Sequence, residues 1–62
     1  MQVIAIDNFG RDNVSDRVIS TNLSQAAAEE KARQMNTLYG GPTSARYYVV
    51  KSDDYVPYVW EP

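Results

Sequence analysis

Apolar positions fall into four stretches along the chain, and their spacing changes once. Val3, Ile4, Ala5 and Ile6 form a short, largely β-branched run that stops at a turn signal, which predicts a strand over about Gln2–Asp7. "NFGRDN" follows and carries the Asn, Gly and Asp residues that tolerate the backbone angles of tight loops. Val18 and Ile19 in "SDRVIST" predict a second strand that pairs back on the first as a hairpin. Then the period becomes helical. Ala28, Ala32, Met35 and Tyr39, with Leu38 alongside, make one apolar stripe, and Glu29, Glu30, Arg33, Gln34 and Thr37 make the wet side. Ser24 is the expected N-cap, with Leu23 stapling onto Ala28, and Asn22 with Gln25 is the competing cap. Gly40, Gly41 and Pro42 are the expected stop, glycine accepting a left-handed position and proline being unable to continue.

"RYYVVK" predicts a third strand, "SDD" a turn and "YVPYVWE" a fourth strand. Pro57 has no ladder donor, which places that fourth strand at an edge or at a bulge. The order is β-β-α-β-β in one domain, residues 1–62, with no linker or repeat. Short connections and the right-handed crossover put strands 2 and 3 parallel with strand 1 between them. The expected fold is therefore α+β, a four-stranded antiparallel sheet of order 2-1-3-4 with one helix on one face. Strand parity groups Tyr48 with Val50 and opposes them to Tyr47, Val49 and Lys51. Ile4 and Ile6 are the aliphatic set expected to join Tyr48 and Val50 under the helix. No strand alternates cleanly between apolar and polar, so apolar surface is expected to remain on the side away from the helix.

Composition narrows what such a sheet can do. Sixty-two residues is close to the lower limit for folding without staples. The seven aromatic rings, at roughly 150–250 Å² each, therefore have to supply part of the core. Five of the seven lie in the closing stretch: Tyr47, Tyr48, Tyr55, Tyr58 and Trp60. There is no cysteine, so disulfides, thiolate zinc sites and thiol catalysis are excluded. There is no histidine, which removes the usual proton shuttle, nucleophile-activating base and commonest metal ligand. No secretory signal or membrane-length apolar run is present, and the expected setting is soluble and cytoplasmic. Eight carboxylates against six Lys and Arg give a net charge of −2, poorly suited to gripping a phosphate backbone.

Candidate chemistry is sparse. Asp53 and Asp54 are adjacent and diverge in a turn, whereas paired carboxylate chemistry needs two groups facing each other. Asp7, Asp12 and Asp16 in the first hairpin do not fit a calcium loop, since Phe9 or Val14 falls where an oxygen ligand is needed. "YGGP" ends a helix instead of starting one, so it is no phosphate loop. A serine triad has no histidine to complete it. The expectation is a protein that is not an enzyme, with no catalytic residue, metal or cofactor.

The remaining expectation is a protein-protein interaction module. Tyr47, Tyr55, Tyr58, Trp60 and Arg46 are the candidate partner-binding residues, because Tyr, Trp and Arg anchor interfaces. The partner is another protein or a second copy, a homodimer joined through the open face or edge; no membrane partner is expected. The alternative is a nucleic-acid-binding sheet, with Tyr47 and Trp60 stacking bases beside Arg46 and Lys51. Asp53, Asp54 and Glu61 in the same segment and the scattered basic residues weigh against it.

A Ser-capped Ala/Glu helix between two strand pairs, ending in "RYYVVKSDDYVPY", resembles small uncharacterised proteins of phages and other mobile elements. The resemblance spans the whole chain, its distinctive piece being the Tyr-rich closing stretch. Such proteins are similar in size to host-takeover and anti-defence inhibitors, anti-CRISPR proteins among them, which work by binding another protein. The resemblance thus implies an inhibitor or modulator of a host protein, and it transfers no functional residue.

Overall fold

A computed structural model of the chain describes residues 1–41 and 43–61. The elements are β1 (Gln2–Asp7), β2 (Arg17–Ser20), α1 (Gln25–Tyr39) and β3 (Arg46–Lys51). β1 lies between β2 and β3 and is antiparallel to both, so the strand order β2-β1-β3 matches the first three strands expected. Pro42, expected to reinforce the helix stop, lies outside the described residues.

The register of β1 on β3 divides the side chains between two faces. Val3 pairs with Val50 and Ala5 with Tyr48, while Ile4 pairs with Val49 and Ile6 with Tyr47. Val3, Ala28 and Ala32 form the buried cluster under the helix, and Tyr48, Val50, Met1, Ile19 and Leu23 pack against it. Tyr48 and Val50 face the helix as expected, but Ile4 and Ile6 do not accompany them. The buried stripe on α1 is alanine, so the helix can lie close to the sheet, and on that side β1 contributes Val3 to the core, with the small buried Ala5 on the same face. The larger Ile4 points the other way. A bulge in β2, between the pairs Val3–Ser20 and Ile4–Val18, lets Ile19 join the helix-side core while Val18 stays on the face of Ile4.

The helix begins as its sequence dictates. Ser24 Oγ accepts from the Ala27 N–H at 3.2 Å, and Ala28 and Ala32 are buried. The stripe outruns the sheet at its far end, leaving Leu38 and Tyr39 more than half exposed. Gly40 ends the helix with an extended backbone instead of a left-handed one. Its need for glycine is steric: a Cβ there would stand 2.7 Å from the Asn36 carbonyl oxygen, closer than real Cβ contacts come.

Asn36 is held in place for a reason. In an antiparallel ladder alternate residues aim their N–H and C=O away from the neighbouring strand. At Tyr48, on the free side of β3, both groups are taken by the Asn36 side chain. The Tyr48 N–H donates to Oδ1 at 2.8 Å and the Asn36 amide donates to the Tyr48 carbonyl at 2.9 Å. Two residues back along β3, the Ser44 hydroxyl lies 3.0 Å from the Arg46 carbonyl and 3.4 Å from its N–H. Two side chains thus close most of the β3 edge.

Among the described residues the fourth strand expected over Tyr55–Glu61 does not form, and the sheet has three strands. With Asn36 and Ser44 on the β3 edge, the closing segment finds no strand to pair with there. Instead Ser52–Glu61 crosses the face opposite the helix as an irregular strap. Among the described residues, no helix is long and apolar enough to cross a membrane.

Candidate functional site

The strap is fixed at both ends by polar groups of the sheet and the hairpin loop. At its start the Gln2 side chain, on the face away from the helix, donates to the carbonyls of Ser52 and Tyr55, both at 2.9 Å. Gln2 is buried, and so is Ile4 beside it, at 0% exposure. At its far end Asp16 gathers the strap. Its Oδ2 accepts from the Tyr55 hydroxyl at 2.8 Å and from the Tyr58 N–H at 2.9 Å, and its own N–H donates to the Tyr58 carbonyl at 2.8 Å. The Tyr58 hydroxyl donates to the Asp12 carbonyl, and the Trp60 N–H donates to Ser15 Oγ at 3.0 Å. The Tyr58 and Trp60 backbone donors, which a fourth strand would have spent on a neighbour, go to these loop side chains. Arg46 ties the same loop to the sheet, one Nη donating to the Ser15 carbonyl at 3.0 Å.

An open cleft of about 330 Å³ remains where the strap leaves the face uncovered. Ile6 lines it together with Asp7, Arg11, Asp16, Tyr55 and Tyr58. Lys51 also reaches in, its Nζ over the Tyr55 ring at 5.2 Å from the centroid. The charges around it are mostly committed. Arg11 grips Asp7 through Nη2 at 2.7 Å, Nε at 3.1 Å and its own backbone N–H at 2.5 Å, and its guanidinium lies over the Phe9 ring. Chiefly through that side-chain hydrogen bond, Arg11 holds the Asp7 carboxyl down at about 2. The hydrogen bond to Asp16, followed by burial, pushes the Tyr55 phenol up. The Met1 ammonium, 2.6 Å from Asp53, holds that carboxyl below the usual range.

A pH dependence follows from Asp7. Its folded value lies below the ordinary carboxylate value near 4, so the unfolded chain binds the proton more readily. The stabilisation is therefore complete above about pH 4 and disappears as pH falls toward 2. In Arg11→Gln the Asp7 titration, followed by carboxyl NMR shifts, should move up toward the ordinary carboxylate range. A midpoint that stays near 2 in that variant would assign the depression to another partner.

The five residues singled out in the sequence do not form one patch of the same kind. Tyr55 and Tyr58 meet at Asp16, and Trp60 and Arg46 meet at Ser15, whereas Tyr47 lies on the same face over β3, paired with Ile6. Tyr47, Tyr58 and Trp60 are each about two-fifths exposed, and Tyr55 and Arg46 are half-buried. Gln2, Asp12, Ser15 and Asp16 organise the strap, and periodicity gave no sign of them. Asp16 sits just ahead of β2, where an acidic residue reads as ordinary turn chemistry. Among the described residues no three His, Cys, Asp or Glu side chains come together to hold a metal ion. Asp7 is occupied by Arg11 and Asp16 by the strap, and the Asp53 and Asp54 carboxylates face Met1 and Ser52.

Of the six basic side chains, Arg11, Arg33 and Arg46 are bonded within the chain and Lys51 covers Tyr55. The surface therefore offers aromatic and aliphatic area more than free positive charge. No family model, curated protein or solved structure matches the chain.

Proposed function

We propose that this chain is a small, non-catalytic protein-protein interaction module working in the cytoplasm. It binds another protein and modulates or inhibits it, in the manner of the phage and mobile-element inhibitors it is similar to in size. The observation that carries this reading is the outward side of the strap and the face beside it. Tyr58 and Trp60 keep large exposed fractions there although their backbones are tied down, Val56 and Val59 are more exposed still, and Tyr47 lies on the same face of β3, opposite Ile6. Rings on a fixed backbone lose little freedom on binding, which favours them as anchors.

Contact through a sheet edge is disfavoured. Asn36 and Ser44 occupy the β3 edge, and β2 is four residues long and bulged, two ways by which sheets avoid pairing with foreign strands. The partner therefore meets the aromatic face. A nucleic-acid partner fits less well, because four of the six basic side chains are already engaged.

The test is affinity capture from the native host with wild-type protein and with Tyr47→Ala/Trp60→Ala. Tyr47→Ala alone should weaken a captured protein's binding by about 2 kcal/mol or more with a nearly unchanged melting temperature. Equal binding by the double variant would defeat the proposal. Capture that is nuclease-sensitive and falls steeply with log salt would favour the nucleic-acid reading instead.

A further inference from the structure

The strap is a detachable unit by construction. Residues 55–60 contain no helix or strand, and the bonds that seat them run to Gln2, Asp12, Ser15 and Asp16, all at least 39 residues away in sequence. The strap opens with an exposed three-residue turn, Ser52–Asp54, that links β3 to Tyr55–Trp60. That turn is kept bent by the Tyr55 N–H donating to the Ser52 carbonyl at 3.0 Å and by Asp53, whose Oδ2 stands 2.6 Å from the Met1 ammonium.

We propose that the strap exchanges between two copies of this chain, each copy's Tyr55–Trp60 seated on the other's Gln2 and Asp16. The surface under the strap is already fitted to one occupant. It has an acceptor placed for the Tyr55 hydroxyl and Tyr58 N–H and a donor placed for the Tyr55 carbonyl, and Ile4 on the same face is fully buried. A second copy supplies the same atoms, so the exchanged dimer repeats the contacts that seat Tyr55–Trp60 and alters only the turn. Closed chains prevail in dilute solution because a short turn holds the strap at an effective concentration of about millimolar. Concentration and turn length are the two controls, and a shortened hinge favours exchange. The inference stands whether or not a foreign protein uses the aromatic surface.

Deleting Asp53 and Asp54 removes the bend and its tie to Met1 while leaving both the strap and its seat. Light scattering on a sizing column should show the mass doubling, with a helical circular dichroism spectrum kept, and adding Asp16→Ala to the deletion should return the monomer. A folded, strictly monomeric deletion variant overturns the proposal. A second experiment leaves the turn intact. Ser15→Cys and Trp60→Cys, each in a chain that otherwise has no cysteine, are unfolded, mixed and refolded together at high concentration under mild oxidation. Since the Trp60 N–H lies 3.0 Å from Ser15 Oγ in the closed chain, exchange brings the two substituted positions together in different chains. The expected product is predominantly the mixed disulfide dimer. A statistical mixture of mixed and like pairs, or no cross-link, refutes exchange.

Discussion

Ile4→Ala is expected to destabilise the fold by about 2–5 kcal/mol, as truncations of fully buried aliphatic residues do. The size of that loss is informative because Ile4 faces away from the helix. On a sheet covered on one side only, such a residue would be open to water and its truncation close to neutral. Here it is at 0% exposure, between Val49 on β3 and Val18 on β2, beneath the strap that Gln2 and Asp16 hold. Ile6→Ala, at a partly exposed position lining the cleft, should lose less. Urea unfolding of the two variants gives the comparison directly. An Ile4→Ala loss no larger than that of Ile6→Ala would mean that the strap does not seal the face.

Asn36→Ala should cost about 1–3 kcal/mol, because it removes two half-buried hydrogen bonds to the Tyr48 backbone, each worth about 0.5–1.5 kcal/mol. Asn36→Asp separates the two bonds. A carboxylate can still accept from the Tyr48 N–H, but it has no proton for the Tyr48 carbonyl and would repel it. Asn36→Asp should therefore be damaging at neutral pH and partly relieved as the carboxyl is protonated. Thermal melts at pH 7 and pH 4 measure both effects. If Asn36→Ala melts like wild type, water replaces the side chain on that edge and the seal is not structural.

The helix was legible because its signals are local. Ser24, the Ala28–Ala32 spacing and the glycine stop all act within a few residues, and each is where the periodicity puts it. The three strands and their order were legible for a similar reason, since β-branched runs and a single helical crossover leave few arrangements. What failed depends on residues far apart. "YVPYVWE" has strand composition, but whether it pairs is decided at the β3 edge, and that edge is closed by Asn36 from the helix. The facing of β1 was not legible because both parities are apolar, and an alanine-lined helix admits the smaller pair, Val3 and Ala5, where Ile4 and Ile6 were expected. One sign of the second cover was present in the sequence. The unbroken run Val3–Ile6 fits a strand buried on both faces better than one half in water. Of the candidate site, the aromatic residues could be named from composition. Their seat, Asp16 with Gln2, could not, because a single polar residue carries no period.

Gln2 also bears on how the molecule assembles in time. It sits at the start of the central strand, and its side-chain bond to the Ser52 carbonyl spans 50 residues. β1 pairs with β3 from Gln2–Lys51 to Asp7–Arg46, so the ladder that supports both faces is almost wholly non-local. Loops of that length close slowly, and chains governed by distant contacts fold later than helical ones of equal size. The hairpin and helix can form early from neighbouring residues, but they have little to rest on until β3 arrives. The strap has to wait longest, since its seat exists only after strands from both ends of the sequence have met.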